Sequence, residues 1–525
     1  MIPVLAAVGL LICVAFQCRQ KSSADVQNLP GPSTRFASYL WGHELVVFEH
    51  SATQMYTLWS RAFGGLFKIK GALFHPDIIV ATDHAAVRHI FANSDLYVKS
   101  PAFRPPIINL MGAGLVWAEG EDWHRQRKIL APAFSSESVK EMTSAIYEAA
   151  ERLETRLTNL LLNRTTSNAS LNIVRYISAC TLDIIGAVGL SHPFAAQSSH
   201  PSADASEIHA SWSQHVNNGL QWLAFLAPLV VRAVPAVAEA PLPLMQSQGV
   251  IKTVVTRLGR GILEREQAVL DATKGAGSQP GQKKDIITML LRNRQMAKPE
   301  DRLSDSQILD NISTFTMVGH ETTAGSLCFT LWELARHPEY QERLRAEVLA
   351  HPRDMSYEEV QKLEYLDAVV KEGLRLHPAS PQTERVVLKD DFLPLSSPIC
   401  GMSAPGVQIK KGQVIHIPFT SMNTNPAVWG PTGDIFDPSR WLVARDASAP
   451  ALPHGWNGLL TFCDGPRNCV GWRLAVLEFK IILATLVRTL RFTDTGARVD
   501  SRISPTLQPV VDGKGGVLPL GIQLV

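Results

Sequence analysis

The run Phe462-Cys463-Asp464-Gly465-Pro466-Arg467-Asn468-Cys469-Val470-Gly471 constrains the fold more than any other stretch of this chain. It sets a cysteine in a loop between two glycines, just ahead of a helix-forming run from Trp472 to Leu486. Glycines let the backbone turn tightly and point N–H groups at one sulfur. Those donors, and the positive end of the following helix, favour thiolate over thiol. A lone thiolate held this way is a nucleophile, a redox switch or a metal ligand. No histidine is singled out as its partner, so a cysteine protease has no positive support. The seven cysteines form an odd set without a CxxC pair, which indicates neither a disulfide framework nor a zinc ribbon. A reducing compartment fits better, and there a Cys463–Cys469 disulfide is not expected.

The 525 residues suffice for two or three average domains or for one large single-core enzyme. Hydrophobic residues at 46% and charged residues at 19% exclude a disordered chain. Fifty basic against 48 acidic side chains leave a formal charge of +2, so no nucleic-acid partner is expected. Met1 to Cys18 carries no charged side chain. As a helix it would reach roughly 27 Å, about the hydrocarbon thickness of an endoplasmic-reticulum bilayer. The first charges, Arg19 and Lys21, follow it, which puts the N-terminus in the lumen and the remainder in the cytosol. A cleaved signal peptide is the competing reading, but it would want a basic segment before the apolar run. The expected organisation is therefore a single-pass anchor over 1–18, a basic, proline-rich hinge over 19–35 containing Leu29-Pro30-Gly31-Pro32, and a catalytic domain over 36–525. The sequons at Asn163, Asn168 and Asn311 are expected to stay bare on a cytosolic domain.

The middle of the chain reads as mostly helical, with strand-like runs near 66–82 and 385–420. Gly275–Lys284 reads as a mobile surface loop. Gly219–Met245 is apolar but broken by prolines, hence either a loop dipping into a membrane or buried core. Ser304 and Gln307 have capping-box spacing. The helix they open can run to Arg336, before His337-Pro338, which makes it about 48 Å long. Its middle, Val318-Gly319-His320-Glu321-Thr322-Thr323, is unusually polar for a core helix. Unpaired buried polar groups cost about 1–3 kcal/mol each, so the cluster either serves function or consists of threonines bonding back to carbonyls four residues earlier.

The decapeptide resembles the haem-binding loop of the cytochrome P-450 family, matching Phe-x-x-Gly-x-Arg-x-Cys-x-Gly without a gap. The resemblance implies that Cys469 is the axial thiolate on the iron of haem b, that Phe462 packs near that sulfur, and that Arg467 pairs with a propionate. Ala475 and Glu478 also fall where the family has Ala and Glu. Glu372-Gly373-Leu374-Arg375 resembles the family's Glu-x-x-Arg, and Arg440, in Phe436–Trp441, is similar to the arginine that completes that structural triad. Trp123 and Arg127 resemble the helix that reaches the propionates, and Arg385 resembles a further propionate partner. Glu321 and Thr322 match the acid–alcohol pair that relays protons during oxygen activation. Val318 departs from the pattern by placing a branched side chain where a small one is usual, which affects pocket volume. His320 reads as a polar helix residue rather than an iron ligand.

The motifs run in order from about residue 30 to 520. The resemblance implies one mainly α domain with a smaller β-rich portion, haem lying between the long central helix and the cysteine loop. It further implies a monooxygenase of the membrane-bound eukaryotic type, similar to fungal members of secondary-metabolite pathways. Such an enzyme takes electrons from NADPH–cytochrome P-450 reductase, with cytochrome b5 as an additional candidate donor, and inserts one oxygen atom into a hydrophobic small molecule such as a terpenoid. A haem-thiolate isomerase or dehydratase needing no O2, and a non-catalytic haem-binding membrane protein, are the alternatives. Both have less use for the Glu321–Thr322 pair. Pocket walls are expected from Ser100–Leu115, the proline-broken apolar stretch and Ala379–Thr383. Arg125 and Lys128, on the outer face of the Trp123 helix, are expected to meet the reductase.

Overall fold

The computed structural model describes residues 22–525 apart from 101–102, 164–168, 234–242, 276–284, 297, 299–300, 400–404 and 444–454. The expected anchor over 1–18 and all but the first residue of the expected loop Gly275–Lys284 lie outside the described residues. Six helices build the site: α1 (Gly120–Leu130), α2 (Ile173–Gly189), α3 (Ala203–Gly219), α4 (Asp305–Arg336), α5 (Glu364–Leu376) and α6 (Trp472–Thr489). A capping box starts α4: the Gln307 N–H donates to Ser304 Oγ at 3.2 Å and the Ser304 N–H to Gln307 Oε1 at 3.1 Å. The helix ends at Arg336, because Pro338 opens the next helix and its ring restricts His337. Most of α4 is buried, and α2 lies along it. A helix buried on nearly all sides needs neighbours everywhere, so α4 is the axis of the helical core.

The β-rich part holds five strands in one sheet: β1 (Leu66–Ile69), β2 (Ile78–Ala81), β3 (Tyr97–Lys99), β4 (Gln382–Val387) and β5 (Val414–Pro418), in the order β1-β2-β5-β4-β3. Only β2 and β5 run parallel. The antiparallel register of β3 on β4 sets Lys99 opposite Arg385 at the sheet edge. This sheet and the helix His84–Ala92 have a separate apolar cluster, including Leu66, Ile79, Val87, Ile415 and Ile417. Strands Leu490–Asp494 and Pro519–Leu524 pair with each other, and Asp500–Ile503 pairs with Leu507–Val511. The sequence reading did not mark these four; they are short, and Pro509 and Pro519 interrupt the pattern that announces a strand.

Within the expected 19–35 hinge, the helix Ala24–Asn28 docks on the strand Gly406–Ile409: Val26 and Leu29 are buried, and the Gln408 N–H donates to Asp25 Oδ2 at 2.9 Å. The proline-broken apolar stretch includes the helix Trp222–Ala233, which is part core and part surface. Phe225, Leu229 and Val231 are buried, while Trp222 and Leu223 are 43% and 59% exposed. Arg232 on this helix is buried in an ion pair with Glu44 and approaches Glu384 to 4.0 Å. Asn311 is buried, accepting from the Leu115 N–H at 3.0 Å and donating to Gln126 Oε1 at 2.9 Å. Among the described residues no helix is long and apolar enough to cross a membrane.

Candidate active site

The cysteine loop follows a turn of 3-10 helix at Leu460–Phe462. Gly465 has φ +67°, and a Cβ there would lie 2.4 Å from the Phe91 carbonyl oxygen, so only glycine fits. The Cys469 N–H donates to the Phe462 carbonyl at 2.8 Å and closes the loop. Cys469 is exposed in a depression of about 380 Å³ that Arg127, Phe134, Trp472 and Arg473 also line. Although the residue is exposed as a whole, the protein packed around its sulfur pushes the thiol up, against the opposing pull of the Gly471 N–H and Arg127. Shielding wins, contrary to the sequence expectation that the loop alone favours thiolate. A cation at the sulfur would reverse that balance.

On the other side of the loop, enclosed cations outnumber their anions. Arg467 pairs with Glu119 and donates to the Ala118 carbonyl at 3.1 Å, while its guanidinium lies 4.6 Å from the centre of the Trp123 ring. Lys99 reaches the same Glu119 at 3.1 Å. Arg385 is buried beside them, donating to Thr383 Oγ1 and to the Glu384 carbonyl at 2.9 Å. Burial, followed by Arg385 and Arg467 in concert, pulls Lys99 down to about 8. Asp95 touches Arg467 only from its exposed side, at 3.3 Å. Arg467 Nε is buried without a hydrogen-bond partner among the described residues. Three cations around one enclosed carboxylate call for further negative charge. The carboxylates of haem fit that need, and a lone exposed sulfur nearby fits its iron.

Structure brings Trp123, Arg385 and Arg467 together, but turns Arg127 elsewhere. Its guanidinium donates to the Asn468 carbonyl and to Asn468 Oδ1, both at 2.8 Å, and so braces the loop next to Cys469. Arg125 is not a free surface charge: it pairs with Asp122 at 2.6 Å, and its Nε is buried. Lys128 is exposed. Lys99, Glu119 and Asn468 were missed in the sequence. Lys99 carries no local signal, since strand pairing alone brings it to Arg385.

Glu372 and Arg375 are fully buried on α5 and form two hydrogen bonds, at 2.7 and 2.8 Å. Arg440 Nε donates to the same carboxylate at 3.0 Å, as do the Trp441 indole and the Asp437 N–H at 2.9 Å each. The remaining Arg375 donors go to carbonyls of Asn423, Gly433 and Ile435. Apart from the Glu372–Arg375 bonds themselves, these partners all lie in the segment 423–441, so the triad ties that segment to α5. Removing one partner from a buried ion pair costs about 3–5 kcal/mol.

On α4, Gly319 lets α2 approach closely: a Cβ there would lie 2.5 Å from Ile185 Cγ1. Thr322 is half-buried and its hydroxyl donates to the Val318 carbonyl at 2.7 Å. The back-bonding reading thus describes its present state, while its lone pairs are left to accept. Glu321 is buried and turned toward α2, where Ser178 Oγ donates to Oε1 at 2.8 Å. Burial acts to raise this carboxyl, but His320, Ser178 and His209 together hold it below the usual range. Thr323 bonds Glu478, whose carboxyl burial pushes far up.

A mainly helical body with a small sheet, a buried central helix and a cysteine loop beside a surplus of enclosed cations defines the class of haem-thiolate proteins. The chain belongs to the cytochrome P-450 family, whose model matches residues 30–511. It is similar to cytochrome P-450 monooxygenase 205 of Postia placenta, at 30% identity over 90% of this chain and 87% of that protein. It is equally similar to monooxygenase claP of Ampulloclitocybe clavipes, at 30% over 90% of this chain and 88% of that one. Monooxygenase claW of the same fungus is 30% identical over 97% and 94%. The protein is a cytochrome P-450 monooxygenase. The family implies a haem-thiolate cofactor, a redox partner and a hydrophobic kind of substrate.

Proposed function

We propose that the protein holds haem b through Cys469 as axial ligand and through Arg385 and Arg467 at the propionates, Lys99 adding to their field. The surplus of enclosed cations beside the cysteine loop carries this reading. Trp123 keeps the Arg467 guanidinium flat, and Phe462, buried beside Trp456, closes the loop side. When bound, haem activates O2 and transfers one of its atoms to the substrate. Glu321 supplies protons, and the Thr322 hydroxyl, its own hydrogen committed to Val318, accepts from ordered water and aims it. Buried Ile107 and Leu110 on the helix Arg104–Met111, which packs on α4, provide an apolar wall. A hydrophobic small molecule, a terpenoid or another secondary metabolite, suits that wall.

Electrons come from NADPH–cytochrome P-450 reductase, with cytochrome b5 as a second donor, at the depression that exposes Cys469. Arg473 at its rim and Lys128 on α1 supply positive charge for an acidic partner. Residues 1–18 anchor the enzyme in the endoplasmic-reticulum membrane, with 19–35 leading into a cytosolic domain over 36–525. An aromatic surface supports this placement. Phe36 and Tyr39 are 74% and 90% exposed, Tyr39 lies edge-on to Phe74 at 5.5 Å, and Trp41 to Trp222 at 5.6 Å. Such a patch suits a lipid interface.

Thr322→Ala tests the proton role, with a compound that the wild-type enzyme turns over from an apolar panel. The expected outcome is near-normal substrate affinity and NADPH use, a sharply lower ratio of product to NADPH consumed, and more hydrogen peroxide. Full coupling in the variant would remove the assignment.

A further inference from the structure

Two histidines near Glu321 have no place in that reaction as read above. His320 is fully buried, with Nδ1 2.7 Å from the Thr316 carbonyl. A carbonyl only accepts, so Nδ1 carries hydrogen and Nε2 is the atom whose protonation can change. Nε2 lies 3.1 Å from Glu321 Oε1 but out of line for a hydrogen bond, and no other described group bonds it. Buried imidazole nitrogens are normally paired, and this one faces a buried carboxylate at contact distance. Its neighbour across the helix interface is His209 on α3, edge-on with ring centres 6.3 Å apart. His209 is half-buried, and its Nε2 is also without a partner among the described residues. Trp212 fills the remaining side, 6.2 Å from the His320 ring.

We propose that His320 is a positioning residue that holds the proton destined for Glu321, with His209 as its link to solvent. This rests on the reading of Glu321 as proton donor. The pair has one mobile proton, held as imidazolium and carboxylate or as imidazole and carboxylic acid. In the transfer, the Nε2–H bond of His320 breaks and an O–H bond forms on Glu321, leaving a neutral imidazole still donating through Nδ1 to Thr316; no electrons move. The neutral carboxyl loses its attraction to the imidazolium, so it is free to turn from Ser178 toward Thr322. His320 then regains a proton from the α3 side. His209 conducts rather than stores: burial and then the His320 charge pull it down to about 4, with Arg175 and Arg156 adding to that effect and Glu321 opposing it. Cys328 also feels the Glu321 charge, and burial keeps it a thiol.

Infrared titration of the full-length, haem-loaded resting enzyme reads the Glu321 carboxyl, assigned by its disappearance in Glu321→Gln. In the wild type it titrates coupled to an imidazole. In His320→Gln it titrates alone, about one to three pH units higher, because burial acts without the neighbouring cation. NADPH-driven O2 consumption with reductase, measured without added substrate, shifts its pH profile in the same direction and shows a larger slowing in D2O. His209→Gln leaves the carboxyl titration nearly in place but narrows the pH profile. An unmoved carboxyl titration in His320→Gln overturns the assignment; if that variant does not fold, an unchanged pH profile in His209→Gln does so. Glu321→Gln separates the two readings. Full coupling there removes the donor role itself, whereas uncoupling there beside a normal His320→Gln removes only the part given to His320.

Discussion

Cys463 shows what a single backbone position can cost in a loop built for another residue. Its φ of +61° and ψ of −169° fall in a region used almost only by glycine, at about 1–3 kcal/mol for other residues. Cys463→Gly is therefore expected to stabilise the protein by about 1 kcal/mol, read as a higher urea midpoint. The side chain is not needed for ligation, because Cys469 and not Cys463 opens into the depression. Cys469→Ser should abolish the red-shifted CO absorbance of thiolate-ligated ferrous haem, and Cys463→Ser should keep it. Loss of the band in both variants would show the cysteines to be misassigned. The motif marks both cysteines, but the tertiary walls decide the state of the sulfur: shielding raises a thiol that the loop donors alone would lower.

At the scale of elements, the crossing of α2 over α4 decides where the polar middle of α4 can point. Gly319 permits that crossing, and Ser178 on α2 then receives Glu321. Gly319→Ala should cost about 1–3 kcal/mol through overpacking against Ile185. Combining it with Ile185→Ala should recover part of the loss, since the obstructing atom is removed. The urea midpoints of the two single variants and the double variant give the coupling; strict additivity would show that the two side chains do not meet. The glycine is legible in the sequence as part of a polar motif, whereas its partner is not. Ile185 and Ser178 lie about 140 residues away on a helix without any motif.

For the whole molecule, half-buried neutral histidines set how stability responds to acid. Burial alone pulls His215 down to about 4, and burial is the largest cause for His75 and His209, also pulled to about 4. Between the ordinary 6.5 and about 4 the unfolded chain binds protons that these folded sites refuse, so stability falls as pH falls through that window. His215→Gln should remove a slope of at most about 1.4 kcal/mol per pH unit, read from urea midpoints at pH 6.5 and 4.5. An unchanged slope would place His215 in contact with water. Membrane seating is a property of the same scale. Removing residues 1–21 spares the docked helix Ala24–Asn28, and the truncated enzyme should still bind liposomes through Phe36, Tyr39 and Trp222. Complete release from liposomes would remove the aromatic patch as a lipid contact.

Motifs with fixed local spacing could be read directly. The cysteine loop, the Glu372–Arg375 pair and the bounds of α4 all depend on neighbours within a few residues, where turn geometry, helix periodicity and capping chemistry act. The sequence alone thus determined the family, the mainly helical fold and most residues around the loop. Tertiary structure decided which charges share an enclosure. Lys99 meets Arg385 only through strand register, Arg127 turns to Asn468 because the loop packs against α1, and Glu321 finds Ser178 and His209 because α2 and α3 close over α4. Burial and Coulomb interactions depend on distance in space, and chain spacing does not encode that distance.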